Sequence, residues 1–256
     1  MFTQAIVRLP APNFSEGLTT SGLGKPDYRR ALRQHDAYCA ALEHCGLTVT
    51  KLEPDERYPD SCFVEDAAIV TQRGAALTRP GAASRVGEIE RMRGALAQFF
   101  PSLREIGPLG TLDGGDVCEA GEHFFIGLSQ RTNEEGARQL AKILSSFGYT
   151  SNVVDVKGVD NILHLKSAVA YLGNNRLVVT EAMAHRSEFA GYELVKVNSG
   201  EEYAANSVRV NEHVLVAAGF ESFEKKLRQQ GYQTISLEMS EFQKMDGGLS
   251  CLSLRF

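Results

Sequence analysis

The sequence contains no basic run, no stretch of eighteen consecutive apolar residues and no C-x-x-C pair. Lys and Arg number 27 against 32 Asp and Glu, mixed along the chain for a formal charge of -5, which argues against nucleic acid as the main partner. Without a long apolar run there is no membrane-spanning helix to expect. Residues 1–8 also lack the basic-then-apolar order of an export signal, so a soluble, cytoplasmic protein is expected. The five cysteines, Cys39, Cys45, Cys62, Cys118 and Cys251, are odd in number and widely spaced, which points to reduced thiols. No two of the six histidines lie three or four residues apart and no H-E-x-x-H occurs, so a zinc hydrolase has little support. Neither a metal nor an organic cofactor is expected. What is present is 256 residues, 43% of them apolar, with no low-complexity tract. That is enough for a large core, and a small molecule is the natural partner.

Periodicity divides the chain into short elements. Pro26 suits the first turn of a helix in which Tyr28, Ala31, Leu32, Cys39 and Leu42 recur at helical spacing until Gly46; Cys39 and Cys45 are then structural. Residues 47–52 read as a strand, and after a polar loop residues 62–70 read as a second, interrupted by Glu65 and Asp66. A helix follows over 87–100, with Ile89, Met92, Leu96 and Phe100 on one face and Pro101 as its stop. Residues 116–120 and 123–127 form a hairpin about Gly121-Glu122. Then comes a helix with Thr132 and Glu135 as capping box and Gly148 as its end, and a strand over 151–156. A second hairpin spans 168–180 and a third spans 208–217, the latter leading into a helix over 220–230 and a strand over 232–237.

The order of polar loop, strand, turn, strand, helix and strand in residues 113–156 returns in 206–237. One such unit cannot bury both faces of its sheet, so repeats of about fifty residues imply a closed radial arrangement or an array. About five units fit the length. Asp60, Asp113, His164, Asn206 and Asp246 each precede a strand at intervals of roughly forty to fifty residues. In a radial fold they converge on one axis.

Cys251 lies in the apolar tail DGGLSCLSLRF, where it is either core filler or a nucleophile held after a double-glycine turn. A cysteine hydrolase also needs a proton shuttle and a carboxylate to orient it. His164 sits in an otherwise apolar approach to a strand, where an unpaired imidazole is costly; a backbone-bonded core histidine is the alternative. Asp113, in LDGGD, is either that carboxylate or a turn former. Asp60, Glu65 and Asp66 need donors, supplied by a cationic ligand or by an internal salt bridge. A guanidinium, which can pair with carboxylates through two bonds at once, is such a ligand. Arg85 and Arg131 stand in loops before helices, placed to grip a carboxylate or simply solvated.

These segments together resemble the dimethylarginine dimethylaminohydrolases of the guanidino-modifying amidinotransferase and deiminase superfamily. The matching stretches are Leu18 with LGKPDY at 23–28, PDSCFVED at 59–66, TRPGAASR at 78–85, LDGGDV at 112–117, RTNEEGARQ at 131–139, HLKS at 164–167, YAAN at 203–206 and the tail at 246–256. The resemblance implies an α/β fold, a five-bladed pseudo-symmetric propeller of β-β-α-β modules. Residues 1–256 would form a single catalytic domain, with a central active-site channel covered by a loop near Leu18. It implies Cys251 as nucleophile, His164 as general acid and base, Asp113 as its partner, and Asp66 with Asp60 on the guanidinium. Arg85 and Arg131 would bind the α-carboxylate, with Leu18, Glu65, Ser167 and Met245 completing the substrate site. The implied reaction hydrolyses N-omega-methylated arginines to citrulline and dimethylamine or methylamine through a covalent S-alkylthiouronium, and it leaves a homodimer open. The alternatives are an arginine deiminase and a non-catalytic arginine-binding propeller. The deiminase pattern resembles His-x-Asp, whereas this chain has His164-Leu165-Lys166; a binder would have no use for Cys251 with His164 and Asp113.

Overall fold

The computed structural model describes residues 1–256. Its elements are, in chain order, β1 (Gln4–Arg8), α1 (Tyr28–His44), β2 (Thr48–Leu52), β3 (Ala68–Thr71), β4 (Gly74–Leu77), α2 (Glu88–Leu96) and β5 (Leu103–Glu105). They continue with β6 (Val117–Ala120), β7 (His123–Leu128), α3 (Glu134–Ser146), β8 (Thr150–Asp155), β9 (Val169–Gly173), β10 (Arg176–Val179) and β11 (Glu193–Lys196). The last are β12 (Val208–Val210), β13 (His213–Ala217), α4 (Glu221–Gln229), β14 (Gln233–Leu237), α5 (Ser240–Gln243) and β15 (Leu254–Arg255). The strands make five three-stranded sheets, β15-β1-β2, β3-β4-β5, β6-β7-β8, β9-β10-β11 and β12-β13-β14. In each the first strand runs antiparallel to the second and the third parallel to it. A parallel return requires a crossover, which is why a helix lies between the second and third strands of four of the sheets.

The middle strands are buried almost throughout, β7 and β13 at every residue but the first, because neighbours cover both their faces. Third strands such as β8 are half exposed at the periphery. The first sheet is built from both ends of the sequence: Ala5 pairs with Arg255 and Ile6 with Leu254, so the tail that carries Cys251 is held as an edge strand. A cluster of Phe14, Phe63 and Phe242, with ring centroids 5.9, 5.5 and 6.3 Å apart, packs the chain before Leu18, before Glu65 and before Met245 against one another. Aromatic pairs at such distances contribute about 0.5–1.5 kcal/mol each beyond their buried area.

Three expectations are corrected. Residues 62–70 are not one interrupted strand: a 3-10 turn at Val64–Ala67 holds both acids and β3 starts only at Ala68. An adjacent pair of buried carboxylates is tolerated there because a turn points side chains in several directions. The cap of α3 is Asn133, whose side chain accepts from Gly136 N–H, while Thr132 turns inward to Asp116 and Glu135 pairs outward with Arg138. The fourth module has no α-helix; 3-10 turns at Glu181–Met183 and Ser187–Phe189 make its crossover.

Candidate active site

Five inter-element segments are tied to one another by hydrogen bonds at the site. The first is the turn Val64–Ala67. Asp66 is buried, accepting from Gly115 N–H at 2.9 Å on one oxygen and from Arg85 Nη1 at 2.5 Å on the other. Burial alone would raise its pKa, but the charges of His164 and Arg85 and these bonds hold it below the ordinary carboxylate range. Glu65 points elsewhere: it pairs with Lys166 Nζ and accepts from Ser250 Oγ at 2.7 Å.

The second and third segments carry Asp113 and His164. Asp113 Oδ1 accepts from Gly81 N–H at 2.8 Å, and its Oδ2 lies 3.0 Å from His164 Nε2. Gly115 is needed for close approach, since a Cβ there would stand 2.9 Å from His164 Nδ1 and 3.0 Å from Asp66 Oδ1. Desolvation of the largely buried ring disfavours its charge, yet Asp66, the hydrogen bond to Asp113, Asp116 and the charge of Asp113 outweigh that and raise the His164 pKa to about 9. At neutral pH the ring is an imidazolium. Ser167 completes the local turn by accepting from His164 N–H at 3.4 Å, so its hydroxyl faces the chain of the histidine.

The fourth segment carries the cysteine. Cys251 lies in the 3-10 turn Ser250–Leu252, and its Sγ accepts from Gly248 N–H at 3.4 Å. Burial, then Glu65 and Asp66, push its thiol up to about 12, opposed by the Gly248 N–H and Lys166. At neutral pH this sulfur is therefore a thiol. The preceding glycines do not supply left-handed backbone, as the sequence suggested. That role falls to Asp246, at φ 56°, while a Cβ on Gly247 would strike Phe63 at 2.2 Å and one on Gly248 would strike Asn206 at 2.5 Å.

The fifth segment is the loop that carries Leu18. Leu18 N–H donates to both oxygens of Asp60, at 3.0 and 3.2 Å, and Gly17 packs between Asp60 and Met245. Asp60 thus belongs with Leu18 and Met245, whereas Asp66 shares its cluster with Asp113 and His164. Burial raises the Asp60 pKa against the pull of Arg85, Leu18 N–H and Arg131.

The two arginines differ. Arg85 is buried, donating to both oxygens of Glu88 at 2.9 Å, to Asp66 and to Phe63 O at 3.0 Å. Most of its donors are therefore committed to protein groups. Arg131 is half-buried, and its loop is fixed through backbone N–H to Ser129 Oγ at 2.9 Å.

Two supporting residues went unassigned in the sequence. Asp116, wholly buried, accepts from Ser129 Oγ at 2.7 Å, Thr132 Oγ1 at 2.6 Å and Leu165 N–H at 3.0 Å, tying the Arg131 loop to the His164 segment. Asn206 donates to Lys166 O at 2.9 Å and accepts from Ser250 N–H at 2.9 Å, tying Lys166 to the cysteine turn. Their signal was position: a second acid in LDGGD, and a polar residue before a strand. Asp66, Asp113 and His164 present ligand atoms within 4.8 Å of one another, but both carboxylates already accept N–H donors, so protein groups satisfy the cluster. No helix is long and apolar enough to cross a membrane.

Comparison with known proteins gives the arrangement a family. The arginine deiminase family model matches residues 56–218. The N(G),N(G)-dimethylarginine dimethylaminohydrolase of Pseudomonas aeruginosa is 45% identical over the full length of both chains. A solved structure of that enzyme, a cysteine-to-serine mutant complexed with citrulline, superposes with a TM-score of 0.97 at 44% identity over all of both chains. A dimethylarginine dimethylaminohydrolase captured as an adduct with S-methyl-L-thiocitrulline matches equally, at a TM-score of 0.97 and 44% identity with full coverage. On fold, length and sequence alike, the chain belongs to the dimethylarginine dimethylaminohydrolases of the arginine deiminase family.

Proposed function

We propose that residues 1–256 act as one catalytic unit that hydrolyses N-omega-methylated arginines to citrulline and a methylamine. The observation that carries this reading is the pairing of His164 with Asp113 at 3.0 Å, within the same cluster as Asp66, at an axis that the Cys251 turn also reaches. A charged His164 beside a neutral thiol is the resting state that the acids impose.

A bound guanidinium changes that balance. Its positive charge, set against Asp66, offsets the acids that hold the Cys251 proton, so the thiol gives that proton up to solvent and the thiolate forms when substrate is present. The sulfur attacks the guanidinium carbon, and His164 passes a proton to the departing dimethylamine as the C–N bond breaks. The remaining S-alkylthiouronium is cleaved by a water that His164 deprotonates, releasing citrulline and the thiolate. Asp113 holds the ring and stabilises its charged form throughout. No step in this sequence calls on a metal or an organic cofactor.

Arg131, free to turn toward ligand, is the first candidate for the substrate α-carboxylate. Arg85 contributes through Asp66 and through whatever donor remains open, and Asp60 with the backbone of Leu18 and Met245 faces the amino-acid end. Ser167 acts by fixing His164, and Glu65 by bracing the cysteine turn through Ser250. An arginine deiminase is disfavoured because Lys166 stands two residues after His164, where the deiminase pattern has an acid, and is spent on Glu65. Replacing Cys251→Ser should leave folding unchanged and abolish citrulline release. Assays with asymmetric dimethylarginine, monomethylarginine and arginine side by side should show preference for the methylated compounds; a preference for arginine, or turnover by the serine variant, overturns the assignment.

A further inference from the structure

Of the five polar residues that precede strands at regular intervals, four are taken up by the site: Asp60, Asp113, His164 and Asn206. Asp246 is the fifth, and it makes contacts of a different kind. Its Oδ2 accepts from Thr20 N–H at 2.5 Å and from Thr20 Oγ1 at 3.0 Å. One residue earlier in the loop, Thr19 Oγ1 donates to Lys244 O at 2.8 Å; one later, Ser21 Oγ donates to the same carbonyl at 2.7 Å. Three successive loop residues are therefore bonded to the short segment between α5 and the cysteine turn. Residues 17–26 have no regular secondary structure, three of them are glycines, and Leu18 and Leu23 are 43% and 54% exposed. Such a loop has little core to hold it, so its position rests on these bonds and on Leu18 N–H to Asp60.

The conformation of Asp246 makes the arrangement specific. At φ 56° it occupies the left-handed region, which a side chain other than Asn or Asp visits at a cost. The same residue thus turns the backbone toward Gly247 and Gly248 and presents its carboxylate back to the loop. We infer that Asp246 is a positioning residue, a latch that holds the covering loop closed over the site and ties closure to the segment bearing the nucleophile. It acts through the loop, its carboxylate being committed to Thr20. Its effect is on how long a ligand stays under Leu18 and on who else can reach the sulfur.

The inference rests on the proposed reaction for one readout only. Asp246→Gly keeps the left-handed backbone and removes the latch; Asp246→Asn keeps both the backbone and an acceptor for Thr20. Losing two hydrogen bonds to a carboxylate should raise KM for asymmetric dimethylarginine about tenfold in the glycine variant with kcat within about threefold, while the asparagine variant stays within about threefold on both. The second readout is alkylation of Cys251 by iodoacetamide without substrate, which reports this thiol because the other four cysteines are buried. It should quicken in Asp246→Gly and not in Asp246→Asn. If the glycine variant fails to fold, Thr19→Ala with Ser21→Ala removes both bonds to Lys244 O and should move both readouts the same way. Wild-type KM and alkylation in the glycine variant, or in the double variant, overturn the latch. Alkylation that follows this pattern in a wild-type protein without methylarginine turnover upholds the latch and overturns the reaction.

Discussion

The His164 side of the site and the loop that carries Leu18 are stabilised in opposite ways. Around His164, carboxylates are buried and every one is met by N–H or hydroxyl donors from distant segments: Asp66 by Gly115 and Arg85, Asp113 by Gly81 and the ring itself, Asp116 by Ser129, Thr132 and Leu165. Residues 18–21 are held by hydroxyl and amide bonds that are exposed or only part-buried. A buried charge keeps its full strength and is ruinous to leave unpaired, whereas an exposed bond competes with water and breaks at little cost. The first region can hold charges where a reaction needs them. The second has far less to hold it in place. Two sets of interactions are thus separated, the loop being tied to its surroundings at Asp60, Lys244 and Asp246.

The sharpest way to test the first half is Asp113→Asn. The amide keeps the shape but cannot stabilise an imidazolium, so kcat should fall by about 10²–10⁴-fold with the fold intact. The pH dependence of stability should change with it. The folded His164 pKa of about 9 exceeds the ordinary 6.5, so the ring's contribution is complete below 6.5 and is lost as pH rises through 9. That contribution is on the order of 3 kcal/mol. Thermal unfolding of wild type between pH 6 and 9 should show this alkaline decline, and Asp113→Asn should flatten it. An unchanged slope would mean that the pairing does not govern the charge of the ring.

Asp116→Ala comes next. It leaves two hydroxyls and the Leu165 N–H without their buried acceptor and frees both the Arg131 loop and the His164 segment. A loss of about 3 kcal/mol is expected, read as a lower denaturant midpoint, with a fall in activity larger than the stability change accounts for at 25 °C. If stability falls but the surviving folded fraction is fully active, Asp116 supports the fold and does not orient His164.

How far these regions were legible in the sequence follows from the same contrast. The repeat was readable because each module needs alternating apolar residues, a turn and a helix to bury its sheet, and polar residues before strands marked the axis. Cys251, His164 and Asp113 stood out because their chemistry is conspicuous in apolar surroundings. Asp116 did not, since an acid beside two glycines reads equally as a turn former; only the meeting of three loops gives it partners. Residues 62–70 misled because an apolar run with acids has no period that distinguishes a 3-10 turn from a strand. The turn before Cys251 misled in a more instructive way: two glycines suggested backbone freedom, but contact with Phe63 and Asn206 requires them, and Asp246 takes the unusual φ. A sequence displays which residues are small; it does not display what lies against them.

The smallest expected effect is also the one that separates the two regions most cleanly. Thr19→Ala removes an exposed hydroxyl bond to Lys244 O and nothing from the core. The change in unfolding free energy should stay within about 0.5 kcal/mol, because water replaces the lost partner. Amide hydrogen exchange should nevertheless accelerate at residues 18–21 while remaining unchanged at Leu165 and Gly115, whose N–H groups are held by Asp116 and Asp66. Exchange that rose at both places would show the loop and the histidine side opening as one unit, and the division between access and chemistry would have to be given up.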